Sequence, residues 1–390
     1  MAAENDRNGR SGHASGRGPG HSSRRRRPGR GGGRGGRGRG DGPIAALDLG
    51  TNNCRLLVAR PEGSGFEVMD AFSRAVRLGE GVEGSNELSE AAQDRALKAL
   101  RICAGKIRQH RVRDQRIVAT EACRRATNGR DFVRRVNRET GLTLDIISPE
   151  EEARLAVAGC APLIDPEAEQ LLVFDIGGGS TELIWIDMSG TPSARRENLV
   201  RALAPLGRGQ YETATARAAA AHIADWISVP MGVSTLHDRF ARIEDPRARF
   251  TAMSLHFEER LAPFGPYDMA DPEQVTKNLQ IVGVSGTATT FGALHLGLKS
   301  YDRSKVDGLW LPADGAGEVA DQLLGMDLGD RANHPGIGRG RSELVISGSA
   351  ILMTILRIWP VERLRIADRG LREGILYGLI QARRDRKAEQ

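Results

Sequence analysis

Two short segments of this sequence each combine an apolar run, an aspartate and a turn of small residues. One run contains Asp48 and continues into the turn 50–53, and the other ends in Asp175 and continues into the turn 177–180. Glycine lets the backbone approach a ligand closely, so that successive N–H groups can converge on phosphate oxygens. A carboxylate at a strand end beside such a turn can bind Mg²⁺ directly or through water. The chemistry predicted is phosphate binding with a metal ion.

The two segments are copies of one motif, because Asp48 and Asp175 occupy the same place in each. They lie 127 residues apart. A single turn of this kind is most often an ordinary tight hairpin. Repetition at long spacing indicates an internal duplication, and hence two similar domains that face each other. Both glycine turns would then point into the cleft between the domains.

A third segment runs from an apolar strand into Gly283, Ser285, Gly286 and Thr287, and a helix is expected from about Phe291. A turn that opens a helix can hold an anion at the helix N-terminus, where backbone N–H groups lack partners. The alternative is a purely structural turn between a strand and a helix. This segment is therefore a weaker phosphate-site prediction than the duplicated pair.

One acidic helix start stands out between the two copies. Ser148 can cap this helix, Pro149 suits its first position, and Glu151 lies three residues after the cap, as in a capping box. Glu150 lies in the first turn, where any acid is favoured. Glu152 is the one acid left without a local role. The helix pattern alone is equally consistent with a solvated surface residue at this position.

The segments between these motifs alternate between strand and helix patterns, which is typical of an α/β fold. The expected strands are 44–49, 55–59, 116–119, 142–147, 171–175 and 182–186, and the expected helices are 89–110, about 130–140, one from Ser148, and 370–385.

Composition favours a soluble globular protein, since 39% of the 390 residues are hydrophobic and no apolar run is long enough to span a bilayer. The N-terminus lacks the apolar stretch of a secretory signal. The cysteines are scattered, with no pair at zinc-binding spacing, and are expected to be buried thiols in a reducing compartment. A cytoplasmic protein is therefore expected. The four cysteines are Cys54, Cys103, Cys123 and Cys160.

The positive net charge of +6 comes from one end of the chain. Residues 1–40 hold eleven Arg, no Lys, one Asp and one Glu, a net +9, so the remainder carries −3. Residues 1–42 have no apolar residues that could form a core and are expected to be a disordered Arg/Gly-rich tail. Such a tail either captures a polyanion such as RNA or polyphosphate, or acts as a solubilising extension without a specific partner.

Taken together, the motifs resemble those of the exopolyphosphatase and guanosine pentaphosphate phosphatase family (Ppx/GppA). The resemblance extends from about residue 43 to residue 382, and the motifs occur in the order found in the family. They are Asp48-Leu-Gly-Thr-Asn, Ile147-Ser-Pro-Glu-Glu-Glu152-Ala-Arg154, Asp175-Ile-Gly-Gly-Gly-Ser-Thr-Glu182, Gly283-Val-Ser-Gly-Thr-Ala, Arg341-Ser-Glu-Leu-Val-Ile-Ser-Gly348 and Leu371-Arg-Glu-Gly374.

This resemblance implies a duplicated actin-like, ribonuclease H-like α/β fold with an interdomain cleft. Domain I would comprise residues 43–165 and domain II residues 166–369, with the helix 370–385 returning to pack on domain I. The sequence ends at Gln390, so a short form without the C-terminal HD-type region of longer members is expected. A homodimer is implied as well.

The resemblance also implies an activity and a set of site residues. The activity is hydrolysis that releases terminal phosphate from inorganic polyphosphate, the 5′ γ-phosphate from guanosine pentaphosphate, or both, with Glu152 as catalytic base. Divalent metal, expected to be Mg²⁺, would be bound by Asp48, Asp175 and Glu182. The phosphate-binding residues would be Gly50, Thr51, Asn52, Arg124, Asn128, Gly177, Gly178, Gly179, Ser180, Thr181, Gly283, Ser285, Gly286 and Thr287.

Two other functions stay open at the level of the sequence. The same superfamily contains ATP-dependent kinases, which use similar phosphate turns but need an acceptor pocket, and no insertion large enough for one is visible. The other is a non-catalytic protein that binds RNA or another polyanion through the Arg/Gly tail. Glu152 and the two Asp-containing turns argue against it.

Overall fold

The computed structural model describes residues 42–204, 214–267, 278–337 and 341–388. The prediction of a disordered tail falls on residues 1–42, of which all but the last lie outside the described residues. None of the described helices is long and apolar enough to cross a membrane.

The described strands belong to two sheets. They are β1 (Ile44–Leu49), β2 (Asn53–Glu62), β3 (Gly65–Ala75), β4 (Asp114–Ala119), β5 (Asp145–Ile146), β6 (Gln170–Ile176), β7 (Thr181–Asp187), β8 (Ile223–Val229), β9 (Leu279–Val284), β10 (Trp310–Pro312) and β11 (Arg363–Ala367).

Helices cover both faces of these sheets. They are α1 (Val82–Ser85), α2 (Glu90–Gln109), α3 (Glu121–Arg125), α4 (Gly129–Thr140), α5 (Pro149–Gly159), α6 (Ser193–Ala202), α7 (Ala214–Ala220), α8 (Val233–Arg239), α9 (Pro246–Leu261), α10 (Ser285–His295), α11 (Arg303–Val306), α12 (Ala313–Gly325), α13 (Leu328–Asn333), α14 (Val345–Ile358) and α15 (Leu371–Ala388). Two 3-10 turns lie at Ala161–Leu163 and Gly265–Tyr267.

The two sheets share one topology. The first has the order β3-β2-β1-β4-β5, and the second contains β8-β7-β6-β9-β11 with β10 added at its edge. In both, the three sequential strands pair antiparallel, whereas the first strand pairs parallel with the fourth. The duplicated actin-like α/β fold expected from the sequence is confirmed.

The middle of the molecule is a hydrophobic core to which both sheets contribute. It includes Ile44 from β1 and Val173 from β6, and it is filled by Leu155 of α5 and Leu376 of α15. Two further cores lie on the outer faces, one between the first sheet and α2 and α4, the other between the second sheet and α9, α10 and α14. The central strands β1, β6 and β9 are nearly continuous apolar runs because both of their faces are covered.

Helix α15 packs closely on α5 and on β1. Glycines permit this approach, because a Cβ on Gly374 would lie 1.9 Å from the Leu155 carbonyl oxygen and one on Gly159 would lie 2.0 Å from that of Gly370. The contact fixes the helix that carries Glu152. The exact bounds of the two domains stay a prediction.

Several element boundaries differ from those expected, such as β2, which extends over Asn53–Glu62 and not only 55–59. The helix expected from about Phe291 begins at Ser285, and the Thr289 and Thr290 hydroxyls donate to the carbonyls of Ser285 and Gly286 in its first turns, at 3.0 and 2.7 Å. The strand expected over 142–147 is only Asp145–Ile146.

Candidate functional site

The first glycine turn joins β1 to β2 and presents two unpaired amides. The amide of Gly50 donates to the Asn53 carbonyl at 2.9 Å, which closes the turn. The carbonyls of Thr51 and Asn52 accept from backbone amides in residues 76–79 at 2.8–3.0 Å. Within the described residues, the amides of Thr51 and Asn52 have no acceptor. The turn therefore directs its carbonyls into the protein and its N–H groups away from it.

The second glycine turn joins β6 to β7 and repeats this arrangement. The amide of Gly177 donates to the Ser180 carbonyl at 2.9 Å, and the first amides of α8 donate to the carbonyls of Gly177 and Gly178 at 3.0 and 2.9 Å. In the part of the chain that the structure describes, no acceptor faces the amides of Gly178 and Gly179. The duplication thus extends from topology to individual hydrogen bonds.

The two turns meet face to face. A Cβ on Gly178 would lie 2.4 Å from Nδ2 of Asn52, and one on Gly179 would lie 3.5 Å from Cγ of Glu121, at the start of α3. Four amides without partners are thereby brought to one place, and such concave groups of N–H donors are typical anion-binding sites.

Asp48 and Asp175 lie beside these turns on the central strands of the two sheets. Burial raises the pKa of Asp48 above its ordinary value, and the positive charge of Arg55 opposes this shift. Burial raises the pKa of Asp175 to about 6, with a further increase from the Asp48 carboxylate. The structure therefore brings the two aspartates to one region, where burial outweighs the nearby positive charge of Arg55.

Glu182 and Glu152 extend the same acidic group. Burial raises the pKa of Glu182 to about 7; hydrogen bonds from Ser180 and Ser228 oppose this, and the Asp175 charge adds to it. Burial, followed by the charge of Glu182, raises the pKa of Glu152 well above its ordinary value. A carboxylate with a pKa near neutrality is suited to accept a proton at physiological pH.

Glu152 is positioned by the start of α5. The Ser148 hydroxyl accepts from the Glu151 amide at 3.1 Å, which confirms the predicted cap, and Pro149 is the first helical residue. The predicted capping box is not completed, because the Glu151 carboxylate binds Arg116 instead. Glu150 is half exposed. Of the three consecutive acids, Glu152 is the one directed to the acidic group.

Arg124 holds Glu152 in place. Its guanidinium donates to the Glu152 carboxylate at 3.1 Å, to the Glu121 carboxylate at 2.8 Å and to the Ile147 carbonyl at 2.8 Å. The predicted phosphate-binding arginine thus lies beside the predicted base.

Two of the predicted phosphate ligands are engaged elsewhere. The Asn128 side-chain amide is hydrogen-bonded to the backbone amide and the carbonyl of Leu88, at 2.9 and 3.0 Å, and ties the start of α4 to the loop before α2. Thr181 is fully buried, and its hydroxyl donates to the Met231 carbonyl at 2.7 Å. Both side chains are engaged in structural hydrogen bonds, and a phosphate-binding role of either residue stays a prediction.

The third glycine segment is only partly directed to the site. Gly283 lies inside β9, where a Cβ would be 2.7 Å from the Phe174 ring, so packing alone accounts for this glycine and its phosphate-binding role stays a prediction. Thr287 faces α14, since a Cβ on Gly348 would lie 2.5 Å from its hydroxyl. Ser285 and Gly286 do line a cavity, together with Asp48 and Asp175.

This cavity has a volume of about 360 Å³ and is rich in charged side chains. Asp48 and Asp175 line it, whereas Glu152 and Glu182 do not. Its polar and charged lining residues are Asp48, Arg55, Asp175, Ser285, Thr289, Thr290, Tyr301, Arg341, Asp368, Arg369, Arg372 and Glu373.

Sequence reasoning missed the cations of this cavity. Arg55 lies directly opposite Asp48 in the β1–β2 pair, which a hairpin reading of the first turn could have shown. Arg341 packs on Gly286 and donates to its carbonyl at 3.2 Å, and Arg372 begins α15; both lie in segments that carried the family resemblance. Among the described residues, no carboxylate lies within ion-pair distance of these three guanidinium groups, so the cavity offers free positive charge.

Ser285 is the one cavity residue with an unusual backbone. Its φ is +106°, a region that residues other than glycine seldom adopt. Strained backbone is concentrated at binding and catalytic sites, where the surrounding structure enforces it. At the β9–α10 junction it sets the direction in which the first amides of α10 face.

The donors for a metal ion are carboxylates only. In the described part of the chain, no group of three or more His, Cys, Asp or Glu side chains forms a ready-made metal site. The chemistry of Asp48, Asp175 and Glu182 nevertheless fits a divalent cation. All three are oxygen donors with a raised pKa, and a hard cation would relieve their mutual repulsion.

Comparison with known proteins accounts for this combination of turns, acids and arginines. The sequence profile of the Ppx/GppA phosphatase family matches residues 57–383. The chain belongs to this family. The match includes Glu152, the second glycine turn, Arg341 and Arg372, whereas Arg55 and the first turn lie just before it.

Solved structures of Ppx/GppA proteins agree with the described fold. The Aquifex aeolicus family member is 26% identical with a TM-score of 0.67, and the match covers 87% of this chain and 98% of that one. An exopolyphosphatase-like protein is 27% identical with a TM-score of 0.70, covering 87% and 99%. An exopolyphosphatase from Cytophaga hutchinsonii, at 22% identity, 87% and 98% coverage and a TM-score of 0.71, shows the same fold.

Proposed function

We propose that this Ppx/GppA phosphatase hydrolyses the terminal phosphoanhydride bond of a linear phosphate chain, with inorganic polyphosphate as substrate. The observation that carries the proposal is the pair of facing turns, with the unpaired amides of Thr51, Asn52, Gly178 and Gly179 next to buried carboxylates. Donors fixed in advance stabilise the charge of a transferring phosphoryl group without reorganisation.

Positive charge in the adjoining cavity supports a chain-like polyanion. Arg55, Arg341 and Arg372 line it without carboxylate partners among the described residues. Arginine suits this role because its planar fork donates two hydrogen bonds to phosphate oxygens. Substrate phosphates next to the terminal one would lie among these arginines.

Glu152 would accept the proton of the attacking water. Burial raises its pKa and so makes it a stronger base than an exposed glutamate, and Arg124 fixes the direction of its carboxylate. The water would attack in line with the departing chain, and the product would be orthophosphate and a polymer shorter by one unit.

Asp48, Asp175 and Glu182 would hold a divalent cation, with Mg²⁺ as the expected ion. Such an ion supplies charge neutralisation at the phosphoryl oxygens when bound. The protein's own contribution would be three carboxylates whose charges act on one another, since Asp48 raises the pKa of Asp175 and Asp175 raises that of Glu182.

Guanosine pentaphosphate is a second candidate, because the cavity contains an aromatic ring next to its cations. Tyr301 is 47% exposed, and its hydroxyl donates to Asp368 at 2.6 Å, so the ring is held in a fixed orientation. An exposed and fixed ring of this kind is suited to stack against a base.

The test is phosphate release by the purified protein from short polyphosphate, long polyphosphate and guanosine pentaphosphate, with and without Mg²⁺. Release from at least one of them, dependent on the metal, is the expected result. A parallel incubation with ATP and candidate sugars examines the kinase alternative. Sugar phosphorylation without hydrolysis of any of the three substrates would refute the proposal.

Metal binding should depend on pH in a direction that the carboxylates determine. In the folded protein the pKa of Asp175 is raised to about 6 and that of Glu182 to about 7. Protonation of these two groups therefore stabilises the folded protein at low pH, and this stabilisation is lost as pH rises through 6–7. Mg²⁺ relieves the repulsion between these carboxylates only at pH values at which they are ionised. We expect the increase in Tm on adding Mg²⁺ to be large at about pH 8 and small at about pH 5.

Differential scanning fluorimetry with and without Mg²⁺ measures this difference. The variant Asp175→Asn should lose most of the increase at the higher pH, whereas Asp145→Asn, in the outer strand β5, should retain it. An increase in Tm that is equal at both pH values would contradict the assignment of the ligands.

Two expectations on partners stay predictions. The homodimer follows from the family resemblance alone. Contact of RNA or another polyanion with the Arg/Gly tail concerns residues outside those described.

A further inference from the structure

The guanidinium of Arg124 contacts two acidic side chains at once. Its Nη1 donates to the Ile147 carbonyl at 2.8 Å and to Glu152 at 3.1 Å, and its Nη2 donates to Glu121 at 2.8 Å. One positive charge is thus shared between two acids, so Arg124 offers a phosphate little net positive charge. A phosphate gains the full attraction of this arginine only if one of the two acids gives way.

Glu121 is the acid that can leave Arg124 without disturbing the proposed base. Glu152 is bound by Nη1, whereas Glu121 is the acceptor of Nη2 among the described residues. Departure of Glu121 would therefore open Nη2 and leave the contact between Arg124 and Glu152 in place. The other carboxylate oxygen of Glu121 lies 3.8 Å from Nε of Arg125, so the displaced carboxylate would keep a cation nearby.

Glu121 also lies against the second glycine turn. It is the first residue of α3, and a Cβ on Gly179 would be 3.5 Å from its Cγ. Because its side chain contacts both Arg124 and this turn, a phosphate bound to the amides of Gly178 and Gly179 would lie beside its carboxylate.

The charges of this pair are only weakly screened by water. The side chains of Arg124 and Glu121 are 18% and 14% exposed. Attraction and repulsion between charges are stronger at such positions than at the open surface. A phosphate and the Glu121 carboxylate would therefore repel each other, and we expect only one of them to contact Nη2 of Arg124 at a time.

We propose that Glu121 is an internal competitor of phosphate at Arg124. In the free protein its carboxylate occupies Nη2, and on substrate binding it moves towards Arg125 while the terminal phosphate takes its place. The reverse exchange promotes release of the product orthophosphate. Glu121 thus determines the affinity of the site for phosphate and takes no part in the chemical step. The inference rests on the proposed function in taking the anion to be a terminal phosphate.

The test is the binding of orthophosphate to the full-length protein, measured by isothermal titration calorimetry in the presence of Mg²⁺. We expect Glu121→Gln to lower the Kd about tenfold, because the amide accepts a hydrogen bond from Arg124 without neutralising its charge. Glu90→Gln, which alters an exposed acid at the start of α2, is the matched control and should bind orthophosphate as the wild type does. Unchanged or weaker binding in Glu121→Gln would overturn the proposal.

A shorter carboxylate distinguishes direct contact from a general effect of charge. Glu121→Asp keeps the negative charge but withdraws it from Arg124 by about 1.5 Å, the length of one carbon–carbon bond. We expect this variant to bind orthophosphate more tightly than the wild type does and less tightly than Glu121→Gln. Binding equal to that of the wild type would show that the charge acts without contact and would overturn the exchange.

Kinetics separate competition from support of Arg124. With tripolyphosphate as substrate, we expect the KM of Glu121→Gln to fall about tenfold, in parallel with the Kd for orthophosphate. A lower kcat with an unchanged KM would instead assign Glu121 the role of positioning Arg124 and would overturn the proposal. Because the titration with orthophosphate does not require hydrolysis, it decides the inference even if phosphate release by the wild type fails.

Discussion

Replacing Glu152 by glutamine should lower the rate of phosphate release by about 10²- to 10⁴-fold, the range that a general base contributes. The amide is nearly isosteric with the carboxylate and can still accept the hydrogen bond from Arg124. It cannot take up the proton of the attacking water. Because the substitution also removes one charge from a group of mutually repelling carboxylates, we expect no loss of thermal stability.

Glu150→Gln is the matched control, since it alters an acid of the same helix that is half exposed. It should retain wild-type kcat and KM. Initial rates of phosphate release and Tm, measured on both variants, distinguish a chemical role of Glu152 from a structural one. Turnover near that of the wild type in Glu152→Gln would remove this residue from the role of base.

The duplicated device was the most predictable part of the molecule. An apolar run, an aspartate and a small-residue turn recur in β1–β2 and β6–β7, and the structure repeats even the hydrogen bonds of the two turns. This regularity is local, since each turn is encoded within about ten residues. The cap at Ser148 is also encoded locally, and Glu152 takes no part in it.

What the sequence could not show is the direction in which a side chain points within a correctly located motif. Thr181 and Thr287 belong to the right segments, yet each hydroxyl faces a neighbouring element. Gly283 packs against the Phe174 ring, which is sufficient to account for a glycine at this position. A glycine or threonine serves packing and phosphate binding equally well, and only the tertiary neighbours decide between them.

For the arginines of the cavity, it is the common location that the sequence did not show. Arg55, Arg341 and Arg372 come from three distant parts of the chain and have no pattern in common. Their convergence depends on the second sheet and on the return of α15 to the centre of the molecule. Long-range assembly of this kind leaves no periodic signal in the sequence.

The contact of α8 with the second glycine turn likewise involves a residue outside every sequence motif. Disruption of this contact is the second change for which we expect a large loss of activity. A Cβ on Gly232 would lie 2.3 Å from the Gly177 carbonyl oxygen and 2.6 Å from that of Gly178. These are backbone atoms, so they cannot swing aside as the end of a side chain can. Gly232→Ala must therefore displace either the turn or the start of α8.

We expect Gly232→Ala to lower kcat/KM for phosphate release by about 100-fold, because a shift of about 1 Å misplaces the amides of Gly178 and Gly179 relative to the phosphoryl group. The free energy of unfolding should fall by about 1–3 kcal/mol through overpacking. Gly190→Ala is the control, since a Cβ there meets nothing within 4 Å, and it should be close to wild type. Kinetics measured well below Tm, together with urea unfolding, separate the two effects. A destabilised Gly232→Ala with unchanged kcat/KM would show that α8 stabilises the fold without positioning the phosphate-binding turn.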